Sequence, residues 1–117
     1  MPKIVFPDYN HSLLNLTNSI LKNYGVKTEY NSLETVDELL REGKYRNVVL
    51  YLVDAMGIEI LRKHKNEAKF LLSKNIDELT TVFPSTTVAA TTTAITGLPP
   101  VNTAWIGWQQ YVAEEDK

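Results

Sequence analysis

Cysteine is absent from this chain of 117 residues. No disulfide can brace it, and the composition suits a reducing, cytoplasmic setting. Long apolar runs are missing as well. Nothing approaches the roughly 20 residues of a membrane span, and Lys3, Asp8, Asn10 and His11 interrupt the stretch where a secretory signal needs continuous apolar residues. With no export signal, the glycosylation patterns Asn10-His11-Ser12 and Asn15-Leu16-Thr17 are read as coincidence. There is no basic excess either: 12 Lys and Arg face 14 Asp and Glu, a net charge of -2. That balance offers no surface to a phosphate backbone and argues against nucleic-acid binding as the main role. Histidine occurs twice, at His11 and His64. Internal repeats and low-complexity linkers are absent, and Gly97-Leu-Pro-Pro lacks the Lys-Ser/Thr ending of a nucleotide P-loop.

What is present is the balance of one globular domain, 44% hydrophobic and 22% charged. At this size a chain buries about two-thirds of its unfolded surface, enough for a core. Lys3 to Phe6 reads as an edge strand or lead-in stopped by Pro7. From Ser12 to Tyr24, Leu13, Leu16, Ile20 and Tyr24 mark one helix face, with Gly25 as the stop. Val26 to Tyr30 suits a strand. Thr35-Val-Asp-Glu38 has the capping-box pattern for a short helix ending at Gly43. Asn47 to Val53 is apolar without polar alternation, as in a parallel strand covered on both faces. Ile58 to Arg62 and Glu67 to Lys74 read as helices, and Leu79 to Phe83 as a strand ended by Pro84.

Five threonines between Thr87 and Thr96 favour strand by propensity. The preceding Pro84-Ser85, the alanines at 89, 90 and 94, and the stop at Gly97 with Pro99-Pro100 favour helix. Val101 to Tyr111 is expected to be an irregular segment carrying Trp105 and Trp108, followed by a charged tail from Ala113 to Lys117. The alternation implies an α/β fold, a mostly parallel sheet with helices on both faces. Residues 1–46 form its leading segment and 47–117 its core half. Ligands of such sheets bind beyond the carboxyl ends of the strands. Asp54 follows one such end and Ser85 to Thr87 another, and strands about 4.8 Å apart let the two loops converge.

A carboxylate on a strand end is a hard oxygen ligand, although Asp54 reads equally as a helix cap. Thr87 at a helix start meets unpaired amides that favour an anion; as a plain N-cap it would be unremarkable in its own right. A threonine hydroxyl is almost wholly protonated at neutral pH and needs a base or a metal to attack. No histidine lies near it in sequence, so a metal held partly by Asp54 is the more economical activator.

Val53-Asp54-Ala55-Met56-Gly57, Phe83-Pro-Ser-Thr-Thr87 and Thr96-Gly97-Leu-Pro-Pro100 together resemble the alkaline phosphatase superfamily, closest to its type I phosphodiesterase/nucleotide pyrophosphatase branch. The resemblance covers the second half of the chain. It implies the three-layer fold of that family, two divalent metals, Zn2+ with Mn2+ as the alternative, Asp54 as a ligand to one of them, and Thr87 as both nucleophile and metal ligand. Counting back from Gly97 to the family's nucleophile position selects Thr87 over Ser85 and Thr86. The family's phosphoryl-binding asparagine is replaced here by Ala90, and its frequent His-Gly by Thr103-Ala104. The sulfatase Cys/Ser-x-Pro-x-Arg pattern is absent.

The resemblance therefore implies a metal-dependent phosphoric ester hydrolase acting on a small phosphate ester or nucleotide. Trp105 and Trp108 are weak candidates for stacking on a base, and read more simply as core or interface residues. A catalytic zinc takes about three protein ligands, and the family draws most of them from sequence after the nucleophile, whereas His11 and His64 precede it. The expectation is an N-terminal piece of a longer enzyme with an incomplete site, inactive alone and prone to self-association. The alternatives are a phosphomutase of the same superfamily and a non-catalytic α/β binding or assembly module.

Overall fold

A computed structural model describes residues 4–111. Lys3 of the expected leading strand and the charged tail 113–117 lie outside these residues. Helix α1, Leu13–Asn23, is the centre of the packing. Ser12 starts it from extended backbone, with φ -142 and ψ 177. The Ser12 amide and hydroxyl both donate to Asn15 Oδ1, at 2.9 and 2.8 Å, which satisfies groups that a helix start leaves open. Gly25 closes the turn after it with φ 76, a conformation that costs a residue without a Cβ little.

The buried side of α1 is not the expected stripe. Leu13 is buried, but Leu16 and Ile20 are half-buried and Tyr24 is exposed, while Asn15, Thr17, Asn18 and Ser19 are inside. These polar side chains are buried because the backbone of neighbouring segments meets them. Asn15 Nδ2 donates to the carbonyls of Tyr9 and Asn31 at 2.9 and 3.0 Å. The Ser19 hydroxyl accepts from the Leu33 amide at 2.8 Å. Helix α1 lies between α2, Glu34–Gly43, and α5, Thr87–Thr96, and its polar residues tie both to it.

The expected capping box at Thr35 also gives way. Leu33 is the N-cap of α2, and Thr35, already inside the first turn, donates its hydroxyl to Asp77 Oδ2 at 3.1 Å. The apolar side of α2 closes a small cluster of Leu33, Val36 and Leu40, against which Leu16, Val48 and Leu79 pack. Lys44 ends the helix in the left-handed region, one residue after Gly43.

The largest correction concerns the sheet. The chain does not adopt the α/β fold with a mostly parallel sheet: among the described residues the regular structure is helical, and β pairing is limited to one parallel bridge between Ser12 and Thr80. Residues 26–30 are irregular. Residues 47–53 run without helix or turn, yet among the described residues the one hydrogen bond to their backbone is from the Val48 amide to the Tyr24 hydroxyl, 3.0 Å. The partner expected for them is engaged elsewhere. Thr80 exchanges backbone bonds with the start of α1, accepting from the Leu13 amide at 3.0 Å and donating to the His11 carbonyl at 3.2 Å. A doubly covered strand also needs helices on its faces. Helices α3, Ile58–Lys63, and α4, Lys69–Ser73, are short, pack on each other and bury no residue.

Helix α5 matches the expected span. The Thr86 hydroxyl accepts from the Ala89 amide at 3.2 Å to open it, and Gly97 closes it with φ 68. A one-turn helix α6, Pro100–Thr103, follows where an irregular segment was expected, started by proline at its first position. Among the described residues no helix is long and apolar enough to cross a membrane.

Candidate functional site

The site forms where residues 52–57 pass the start of α5. Val48 and Leu79 pack on the same cluster beside α2, so the two segments that follow them enter the site from a common base. Leu52 to Gly57, Thr81, Thr87, Ala90, Thr91 and Leu13 line a cleft of about 330 Å³. The segments come together without the expected ladder, because both are held by helices instead of by each other.

At the mouth of the cleft the Thr87 hydroxyl donates to Asp54 Oδ2 at 3.2 Å. The other carboxylate oxygen, Oδ1, accepts from the Ala55 amide at 2.8 Å. Both side chains are exposed. Neither forms an ion pair with a cation of this chain among the described residues. Asp54 does not cap α3: the N-cap there is Gly57. The turn is instead made at Ala55, whose φ of 55 is unfavourable for a residue with a Cβ.

The three hydroxyls before α5 are sorted by their contacts. Ser85 borders a different cleft with Ile4 to Pro7. Thr86 is engaged twice, as the helix cap and as a donor to the Ile106 carbonyl at 3.0 Å. Thr87 alone of the three meets Asp54. It stands at the first position of a ten-residue helix, beside amides with no intrahelical partner.

Trp105 and Trp108 lie in a neighbouring cleft of about 290 Å³ with Val88, Thr91, Thr92 and Gly107. Both are exposed, so they are not core residues. Thr91 lines both clefts. Its role went unread in the sequence, although it lies four residues after Thr87 and so on the same helix face.

His11 and His64 line neither cleft. The His11 ring is bound to Asp77 at 2.8 Å, and His64 is the exposed C-cap of α3. Two oxygens of the Asp54 and Thr87 type suit Zn2+ or Mn2+, but two are fewer than the roughly three protein ligands of a catalytic zinc. Among the described residues no group of three or more His, Cys, Asp or Glu is placed to hold a metal ion. Asp54 and Thr87 therefore do not complete a metal site with other groups of the described residues. Comparison with protein-family models, with curated proteins and with solved structures returns no match.

Proposed function

We propose that Asp54 and Thr87 are the reacting pair of a metal-dependent phosphoric ester hydrolase of the alkaline phosphatase type, acting on a small phosphate ester or nucleotide. The observation that carries this reading is the 3.2 Å hydrogen bond from the Thr87 hydroxyl to Asp54 at the start of α5. The bond aims the hydroxyl oxygen at the cleft and orients its proton towards the carboxylate. The amides of the first turn of α5 offer donors to phosphoryl oxygens placed above them. A divalent metal bound at the pair would supply the acidity that turns the hydroxyl into a nucleophile. Two oxygens are fewer than the roughly three ligands of a catalytic zinc, so weak metal binding and little turnover are expected. The exposed Trp105 and Trp108 offer apolar surface for an aromatic part of the substrate, in a cleft that includes Thr91, one helix turn after Thr87. The lack of cysteine supports a cytoplasmic setting.

The test has a binding and a chemical arm. Titrating Mn2+ into the isotope-labelled chain is expected to broaden the amide resonances of 54–57 and 86–88 selectively, and Asp54→Asn to remove the effect. Hydrolysis of p-nitrophenyl phosphate and of a p-nitrophenyl nucleotide diester, with Zn2+ or Mn2+, is expected to be slow and to vanish in Thr87→Ala. Broadening with no preference for 54–57 and 86–88, or undiminished hydrolysis in Thr87→Ala, would overturn the assignment.

A further inference from the structure

We infer that residues 46–54 form an interface between two copies of this chain, paired antiparallel about a two-fold axis at Leu50. The segment Val48-Val-Leu-Tyr-Leu-Val53 carries no charge, no proline and no glycine. Its exposure alternates from Val48 to Leu52: Val49 and Tyr51 are 86% and 85% exposed, Leu50 and Leu52 39% and 46%, and the alternation ends at Val53, 39% exposed. A period of two is that of a pleated strand, with 49 and 51 on the open side. Beyond the amide of Val48, the backbone of this segment makes no hydrogen bond among the described residues. Such an edge accepts an added strand.

Charge at its two ends selects the occupant and the register. Arg46 makes no ion pair among the described residues, and Asp54 has no cationic partner there. In an antiparallel pair, directly opposed residues share a face, so a slip of one residue would set the open side against the covered side. Registers that keep Val49 and Tyr51 on the shared open face differ by steps of two. Only the one centred on Leu50 brings Arg46, at the bend before the extended run, beside Asp54, at the turn after it, of the second copy, and it does so twice by symmetry. The same register sets Val49 against Tyr51 and Val48 against Leu52, an aromatic and β-branched pairing that stabilises sheets. Shifting by one step towards the chain start sets Arg46 against Leu52 and leaves only Asp54 with a countercharge, at Lys44. Shifting the other way sets Asp54 against Val48. A second copy thus satisfies both ends of the segment at once. The pairing needs neither metal nor substrate, although Asp54 is shared with the proposed hydrolase site.

Sedimentation velocity across a dilution series of the full chain is the test. The wild type is expected to be a dimer that dissociates on dilution. Arg46→Glu and Asp54→Arg each turn two attractions into repulsions and are expected to weaken it about tenfold or more. The double swap Arg46→Glu with Asp54→Arg restores the opposition and is expected to recover the dimer. Val49→Lys, at an open position, is expected to give monomer with unchanged far-ultraviolet circular dichroism. A monomeric wild type at about 100 μM, where even weak pairs associate, open-ended oligomers, or single and double charge variants that behave alike would each overturn the inference.

Discussion

Asn18 on α1 donates through one amide nitrogen to two carbonyls, Leu14 at 2.8 Å within its own helix and Gly97 at 3.0 Å at the end of α5. The side chain is 1% exposed. Gly97 follows the last turn of α5, so this bond fixes the end of the helix that starts at Thr87. Asn18→Leu removes the donor and leaves the Gly97 carbonyl buried without it. The expected loss is about 2–3 kcal/mol of unfolding free energy, read from the urea midpoint at unchanged slope.

Gly97 itself admits no side chain. Its φ is 68, and a Cβ there would lie 2.5 Å from Leu21 Cδ1 and 3.6 Å from Thr17 Cγ2. Gly97→Ala therefore combines left-handed strain of about 1–2 kcal/mol with displacement of the α1 side chains. A larger loss than that strain alone is expected in thermal unfolding, partly recovered by Leu21→Ala in the same chain.

Thr93 is buried in α5, with a hydroxyl that has no hydrogen-bond partner among the described residues. An unpaired buried hydroxyl costs more than it contributes. Thr93→Val keeps the shape and removes the polar atom. A gain of about 1 kcal/mol is expected, seen as a higher urea midpoint, whereas Thr86→Ala, which deletes the cap of the same helix, is expected to lose about 1 kcal/mol.

These positions also show what the sequence could reveal. Helix α5 was legible because its signals are local: Pro84-Ser85 before it, alanines at 89, 90 and 94, and the glycine and prolines that stop it. Asp54 and the start of α5 were expected to converge from neighbouring strand ends; they meet at 3.2 Å without that sheet. The sheet was not legible. Val48 to Val53 reads alike whether or not a neighbouring strand exists, and here Thr80 pairs with His11 and Leu13. The buried face of α1 escaped because Asn15, Asn18 and Ser19 find partners 14 or more residues away, which no helical period encodes.

Acid should loosen the fold through two aspartates. Burial raises the Asp77 pKa, but hydrogen bonds from His11, the Glu78 amide and Thr35 outweigh it and hold the carboxyl below its usual value. Burial likewise acts on Asp37, outweighed by Lys22, Ser32 and Ser19. Both folded values lie below the unfolded value of about 3.9, so the unfolded chain binds more protons as pH falls. The stability these groups contribute is present above about pH 4 and is lost as pH falls through the lowered folded values. Urea midpoints measured from pH 6 to pH 2 are expected to drop at the acid end. Asp77→Asn is expected to lower the neutral-pH midpoint and to flatten that drop; an unchanged acid slope in this variant would assign the acid loss to other groups.

The turn beside Asp54 gives the last expectation. Ala55 has φ 55, and its amide donates to Asp54 Oδ1 at 2.8 Å, so the strained residue also orients the carboxylate. Ala55→Gly removes left-handed strain of about 1–2 kcal/mol and adds flexibility worth about 0.5–1 kcal/mol in the unfolded chain. A net gain of about 0.5–1 kcal/mol is expected in urea unfolding. Because the amide is retained, the bond to Asp54 survives, and the Mn2+ broadening at residues 54–57 should persist. Ala55→Val, a branched residue that tolerates φ above zero poorly, should lose both stability and that broadening. If glycine and valine proved equally stable, the turn would adopt an ordinary conformation in solution, and the carboxylate would be free of the orientation that brings it to Thr87.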